Sequence, residues 1–394
     1  MIEINRNFHK LEKNYLFAEI SRRTEEYKAK NPEADVIKLG IGDVTLPLCE
    51  AVLKAMHRAV EEMGDKSTFR GYGPYEGYEF LRRAISESYT KYGIDIGADE
   101  IYVSDGAKSD TANIIEIFDI AGNVLIPNPT YPVYVDGSIL AGKKICYIDA
   151  NESNQFLPMP NEKTKADLIY LCSPNNPTGA VYNKEQLKQW VDYALENRAI
   201  ILFDAAYEPF IEDDDLPHSI FEIEGAKNCA IEICSFSKGA GFTGIRCGYV
   251  VIPKELELSG VKVGDMWLRR QSIKFNGTSY ITQRGAEAAL SPEGRKQIRH
   301  NIDYYRGNAK LLSEALKSMK IWHIGGKNSP YIWLKCPRSM ASWDFFDFLL
   351  NEANVVGTPG SGFGKNGEGF FRLSSFGSRE DVKKAIERLK GLAF

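Results

Sequence analysis

No apolar run in this 394-residue chain approaches the ~20 uncharged residues needed to cross a bilayer. Its first residues, MIEINRNFHKLEKNYLF, contain no apolar stretch of the kind that directs secretion. A soluble cytoplasmic protein without a membrane partner is the expectation. Cysteine is sparse: Cys49, Cys146, Cys172, Cys229, Cys234, Cys247 and Cys336 include no CxxC pair, which argues against a zinc site or a dithiol redox centre. Several lie in apolar runs (YLCS, IEICS), where a reduced cysteine acts as a small hydrophobe. The five histidines form no HExxH pattern, so no protein-bound metal is expected. None of the three Gly-Lys pairs is followed by Ser or Thr, which excludes a Walker A loop. Gly360, Gly362 and Gly364 lack the strand–turn–helix context of a dinucleotide fingerprint and read as a loop. Basic residues are in deficit, 49 − 53 = −4, so no general nucleic-acid surface is expected. With 43% apolar and 26% charged residues, the composition is globular rather than disordered or coiled-coil.

What is there is an alternation. Between residues 100 and 250, the β-rich runs IYVS, NVLIPN, KICYID, ADLIYLCS, AIILFD, CAIEICS and CGYVVIP are separated by helical stretches. In NKEQLKQWVDYALEN, helical spacing puts Leu187, Val191, Ala194 and Leu195 on one face. Unbroken apolar strands interleaved with helices predict an α/β fold, a mostly parallel sheet covered on both faces. The last third reads differently: a long helix after Pro292, strands at IWHI and YIWLKC, a helix at SWDFFDFLLNEA, the strand FFRLSSF and a final helix over 378–392. That pattern predicts a smaller α+β domain, formed by 1–45 with 291–394, beside a large domain over 46–290.

Four segments follow predicted strands of the large sheet. Ser235-Phe236-Ser237-Lys238, with Arg246 eight residues after the lysine, places hydroxyls and two cations at a strand end. A lysine there is costly unless paired or covalently used; an exposed loop lysine is the plain alternative. Phe203-Asp204-Ala205-Ala206-Tyr207 ends another strand in an acid, where α/β sheets bind ligands, though an aspartate capping the next helix is common. SPNNPTG (173–179) alone is only a turn. Ser104-Asp105-Gly106-Ala107-Lys108 is a strand-to-helix junction whose N–H groups suit an anion. Collectively they supply an anion cradle, a carboxylate, a phenol, an amide and an amine at one edge.

SPNNPTG, FDAAY and the Ser-Phe-Ser-Lys segment with its arginine, in this order, resemble the class I/II aminotransferases of pyridoxal-phosphate fold type I. The resemblance implies that fold and pyridoxal 5'-phosphate as cofactor. It implies that Lys238 holds the cofactor as a Schiff base, that Asp204 pairs with the pyridine nitrogen, and that Tyr207 and Asn176 bond the ring oxygen. Ser235, Ser237, Arg246 and the backbone of Ala107 and Lys108 would grip the phosphate, and Tyr131 would stack on the ring. Arg372, in FFRLSSF, would clamp the substrate carboxylate, since its planar fork matches that group. Lys238, Asp204 and Tyr207 would be catalytic. If Asp204 raises the ring-nitrogen pKa by ~3 units, the effect is worth about 4 kcal/mol.

NRNFHKLEKNYLFAEI (5–20), IKLGIGDVTLPL (37–48) and FRGYGPYEGYEFLR (69–82) resemble the LL-diaminopimelate subgroup in particular. By that resemblance Tyr15, Gly42, Lys108, Tyr131, Asn176 and Asn276 contact substrate, and the substrates are LL-2,6-diaminopimelate and 2-oxoglutarate, as in lysine biosynthesis. Tyr72 and Asn276 would cross the interface of a homodimer and help to bind the cofactor. The subgroup's Gly-Pro-Glu-Gln-Gly stands here as Gly73-Pro74-Tyr75-Glu76-Gly77, so Glu76 is a candidate for the distal ammonium or a surface acid at a helix start. Transamination of another amino acid and β-elimination on the same fold are the alternatives. A regulator built on this core needs a further DNA-binding segment, for which the chain leaves no room.

Overall fold

The computed structural model describes residues 2–11, 16–40 and 42–392. After β1 (Ile37–Lys38) come β2 (Ile101–Ser104), β3 (Asn123–Asn128), β4 (Lys144–Asp149), β5 (Leu168–Cys172), β6 (Ile200–Asp204), β7 (Ala230–Ser235) and β8 (Gly248–Val251). β9 (Glu257–Leu258) and β10 (Val261–Lys262) form a short hairpin; β11 (His323–Gly325), β12 (Tyr331–Lys335), β13 (Val355–Val356), β14 (Thr358–Pro359) and β15 (Phe370–Ser374) complete the strands. The first helices are α1 (Leu16–Lys30), α2 (Glu50–Gly64), α3 (Glu79–Tyr89), α4 (Ala107–Asn113), α5 (Pro132–Leu140) and α6 (Lys184–Asn197). They are followed by α7 (Phe236–Gly239), α8 (Val263–Lys274), α9 (Tyr280–Leu290), α10 (Pro292–Ser318), α11 (Ser342–Ala353) and α12 (Arg379–Lys390).

All seven β-rich runs enter one sheet, in the order β2-β8-β7-β6-β5-β3-β4. β8 runs against both of its neighbours and the remaining pairings are parallel. One face packs on α2, α3, α6 and α9 through Val52, Leu81, Leu187 and Ala286, all fully buried. The other packs on α4, α5 and α8 through Thr111, Tyr134 and Trp267. Each Val, Leu or Ile so enclosed contributes about 1.5–3 kcal/mol, which is why β5 and β6, buried at every position, sit in the middle. Two expectations need correction. KICYID is an edge strand with Tyr147 half-exposed, because nothing among the described strands pairs with its far side. Leu195 is exposed although Leu187, Val191 and Ala194 are buried; it lies at the last turn of α6, past the edge of the buried stripe.

The second sheet, β11-β12-β15-β14, packs on α10, α11 and α12 through Leu312, Phe345, Phe346, Phe371 and Val382. β1 pairs with β13, so residues 37–38 join the C-terminal layer. In IWHI the strand begins only at His323. Among the described residues, no helix is long and apolar enough to cross a membrane.

Candidate active site

Because β8 is the reversed strand, β2, β3, β5, β6 and β7 all end at one edge of the large sheet. There the register sets Cys172 beside Asp204, Asp204 beside Ile233, and Gly248 between Ser104 and Ser235. The four sequence segments are thereby brought together at the carboxyl ends of parallel strands, where open α/β sheets bind ligands.

The anion cradle depends on two glycines. Gly106, the N-cap of α4, has φ +128°, a conformation that side chains rarely allow. A Cβ on Gly248 would lie 2.8 Å from Gly106 Cα and 2.9 Å from Ala107 N. Both residues therefore stay small so that the start of α4 can press against β8. Arg246 closes the third side. Its backbone is left-handed, φ +60°, a strained state for a non-glycine residue, and its Nη1 donates to Ser237 Oγ at 3.2 Å and to the Thr243 carbonyl at 3.3 Å. Ser237 N–H donates to Ser235 Oγ at 3.0 Å. Beneath them Asp110, pushed up to about 8 by burial, accepts from Ser104 Oγ. Helix-start amides, hydroxyls and a guanidinium form a donor set suited to a phosphate.

Asp204 is buried, and burial raises its pKa against the opposing pull of two donors. Tyr134 donates to Oδ2 at 2.5 Å and Ala206 N–H to Oδ1 at 2.9 Å. Tyr134 is fixed in turn by stacking on Tyr170, centroids 4.5 Å apart.

Lys238 sits on α7, the single turn after β7. Its ammonium donates to the Gly42 carbonyl. Burial lowers its pKa to about 8, with Asp43 opposing and Arg246 and Arg372 adding to the shift. Near neutrality a tenth or so of this amine is neutral, far more than of a lysine in water. Arg372, 1% exposed, stands on β15. Its Nη1 donates to Asn176 Oδ1 at 2.7 Å and its Nη2 to the Gly40 carbonyl at 2.8 Å, while the guanidinium lies 4.2 Å over the Tyr331 ring. Its Nε is buried with no hydrogen-bond partner among the described residues, so the guanidinium keeps donor capacity, and a carboxylate is the group its planar fork matches. Tyr331 meets Tyr207, hydroxyl to hydroxyl, at 2.7 Å. A Cβ on Gly42 would come within 2.5 Å of the Tyr331 hydroxyl, so this approach also requires glycine.

Lys238, Gly42, Arg372, Asn176 and Tyr207 thus form one linked group, with Asp204, Ala107, Lys108, Ser235, Ser237 and Arg246 along the strand edge. Tyr131, half-buried, meets Tyr134 edge-on at 5.7 Å. Tyr72, 91% exposed, and Asn276, also exposed, are not drawn into the group by this chain alone. Tyr15 lies outside the described residues. Glu76 faces Arg82 at 3.6 Å, which answers its charge without a ligand. Tyr134 and Tyr331 were not singled out from the sequence. Tyr134 carried a signal, lying three residues after Tyr131 and so on the same helix face. Tyr331 carried none, since its place beside Arg372 comes from the pairing of β12 with β15.

Taken together, the donors suit a group that is anionic at one end, and the Asp204 carboxylate and Lys238 amine stand along the same edge. The sequence profile of aminotransferase class I and II matches residues 34–389. An LL-diaminopimelate aminotransferase of Prochlorococcus marinus is 54% identical, with 99% of each chain covered; one from Agathobacter rectalis is 52% identical over the full length of both. Among solved structures, the L,L-diaminopimelate aminotransferase of Chlamydomonas reinhardtii superposes with a TM-score of 0.94 at 42% identity, covering 99% of this chain and 98% of that one.

Proposed function

The chain belongs to the class I and II aminotransferases, and from that premise we propose that it is a pyridoxal-phosphate-dependent transaminase for LL-2,6-diaminopimelate and 2-oxoglutarate. The observation that carries the reading is the Lys238 amine, depressed to about 8, at the same strand edge as the buried Asp204 carboxylate. The choice of substrate is supported by the full-length relatives at 52–54% identity.

When bound, pyridoxal phosphate supplies an aldehyde and an electron sink for a carbanion at the substrate α-carbon. The protein supplies the rest. Ser235, Ser237, Arg246 and the amides of Ala107 and Lys108 hold the phosphate. Asp204 keeps a proton on a ring nitrogen by placing a carboxylate beside it, and the Tyr134 hydrogen bond favours the ionised form of that carboxylate against the opposing effect of burial. Tyr207 and Asn176 orient the ring oxygen, and Tyr131 covers the ring face. Arg372 binds the α-carboxylate and so fixes which bond at the α-carbon faces Lys238. The neutral Lys238 amine then takes the α-proton and returns it on the other side of the reaction, one atom serving as base and acid. Its depressed pKa suits both roles near neutral pH.

One site must take two substrates in turn, a diacid tipped with a zwitterion and a plain diacid. Gly42, Lys108, Tyr15 and Asn276 are polar or open partners for both, whereas a dedicated distal arginine would repel the second ammonium. Tyr72 and Asn276 reach the centre from a second copy in this reading. Exposed Phe69, Tyr72, Tyr75 and Ile273 supply the apolar surface that such a pairing would cover. The protein works in the cytoplasm in this reading, and its parts 46–290 and 1–45 with 291–394 act as separate domains closing on substrate.

Single-turnover spectra with LL-diaminopimelate, meso-diaminopimelate, aspartate and aromatic amino acids test the assignment. Fast conversion with LL-diaminopimelate alone is expected. Comparable turnover of aspartate defeats the substrate assignment, and a colourless protein that takes up no pyridoxal phosphate defeats the whole reading.

A further inference from the structure

The turn that carries Lys238 has a second side. Ser235, Phe236, Gly239 and Ala240 also wall a cavity of about 220 Å³ that Lys238 itself does not line. Two acids stand inside it. Glu232 is saturated: Oε1 accepts from Tyr89 at 2.6 Å and from Cys234 Sγ at 3.6 Å, and Oε2 from Ser219 at 2.6 Å and the Ile220 N–H at 2.9 Å. Glu208 is not. Its Oε1 accepts from Tyr92 at 2.6 Å and lies 2.6 Å from His218 Nδ1, while its Oε2 has no hydrogen bond among the described residues. Burial works to raise the Glu208 pKa, but His218, Lys91 and Tyr92 outweigh it and hold the carboxyl below its usual range. Glu208 is therefore an anion with one open oxygen.

The rim has the opposite sign. Lys91, Arg295 and Arg299 line the cavity with exposed side chains, and none of the three forms an ion pair with an acid among the described residues. Leu290, Ile298 and Ile302 contribute apolar surface to the wall, beside the phenols of Tyr89, Tyr92 and Tyr249. A simple anion placed inside would face Glu208, and a simple cation would have to pass three like charges. A molecule that carries both signs, with an aliphatic body between them, meets each wall with its complement.

We propose that this cavity is a second binding site, for a small aliphatic amino-acid zwitterion. Its carboxylate is held by Lys91, Arg295 and Arg299, and its ammonium by Glu208 Oε2. The occupant would rest against the back of the Phe236–Ala240 turn, apart from the substrate group around Arg372.

The test is calorimetric titration of the purified enzyme with 6-aminohexanoate, which has no α-amino group to donate. Saturable binding is expected, and it survives borohydride treatment that blocks Lys238. Hexanoate and hexylamine should each bind at least about tenfold more weakly, the scale of one lost charge-assisted contact. The exposed pair Arg295→Glu with Arg299→Glu should weaken 6-aminohexanoate by about tenfold or more, and Glu208→Gln by a similar factor. The charge-reversal pair keeps the test valid should Glu208→Gln fail to fold. No measurable binding, binding abolished by borohydride, or binding indifferent to the rim reversal overturns the proposal. Equal affinity for hexanoate overturns the role of Glu208.

Discussion

Asp204 and Glu232 are both buried acids on adjacent strands of one sheet, yet they point to opposite faces, since Glu232 pairs with Phe203 and Asp204 with Ile233. Glu232 accepts from four donors and has no capacity left. Asp204 accepts from two and ends its strand at the ligand edge. The same contrast holds for two lysines: buried Lys143 gives its ammonium to the carbonyls of Phe118 and Asp119, whereas partly buried Lys238 holds, among the described residues, only the Gly42 carbonyl. A buried charge held by several protein partners belongs to the architecture. One with capacity to spare, at a strand end, is available for chemistry.

Substitutions can break or sharpen this contrast. Lys238→Ala should have the largest effect, removing the visible absorbance of bound pyridoxal phosphate and its fixation by borohydride, with activity falling by four or more orders of magnitude, roughly the full contribution of an essential nucleophile and base. Persistent fixation would point to another lysine. Asp204→Asn should lower kcat about a thousandfold, following from ~4 kcal/mol of lost ring-nitrogen stabilisation, while Glu232→Gln should leave kcat within a few-fold. Equal losses in the two variants would erase the distinction between them.

Arg372→Lys should raise KM for amino acids by about a hundredfold, the loss of a bidentate carboxylate contact and of the packing on Tyr331, with cofactor occupancy unchanged by absorbance. A fall in occupancy with KM held would mean that its role is misassigned. Tyr134→Phe should cost about tenfold in kcat by removing one hydrogen bond from a buried carboxylate; an unchanged rate would mean that the Ala206 N–H alone holds Asp204.

The last effect is on stability, with no change in the chemistry. Burial raises the Glu232 pKa from 4.5 to about 7, so the folded protein holds this proton where the unfolded chain has lost it. The associated stability is present in full below pH 4.5 and declines as pH rises through about 7, by up to about 3 kcal/mol. Glu232→Gln should flatten that part of the curve of unfolding midpoint against pH. An unaltered slope would mean that Glu232 does not carry the titration.

The seven strands of the large sheet were legible because each is a short apolar run between turn or helix signals. The motifs at their ends were legible because acids, hydroxyls and lysine are costly at such places without a task. Leu195 and the edge strand Lys144–Asp149 were misjudged for one reason: a run of apolar letters does not say where the packed surface stops. Tyr331 could not be read because nothing local marks it; only the pairing of β12 with β15 carries it beside Arg372.

The amino-acid order by itself determined the strands, the helices between them and the chemical groups delivered at each strand end, since these follow from periodicity and the cost of burying polar atoms within a few residues. Only the tertiary structure decided which of those groups share a site. Parallel register put Asp204 beside Cys172 and Ile233, a reversed β8 let Gly248 admit the start of α4, and the second sheet brought Arg372 to Asn176 from 196 residues away. Such contacts are fixed by how layers stack and which surfaces they bury, quantities that no local stretch of chain contains.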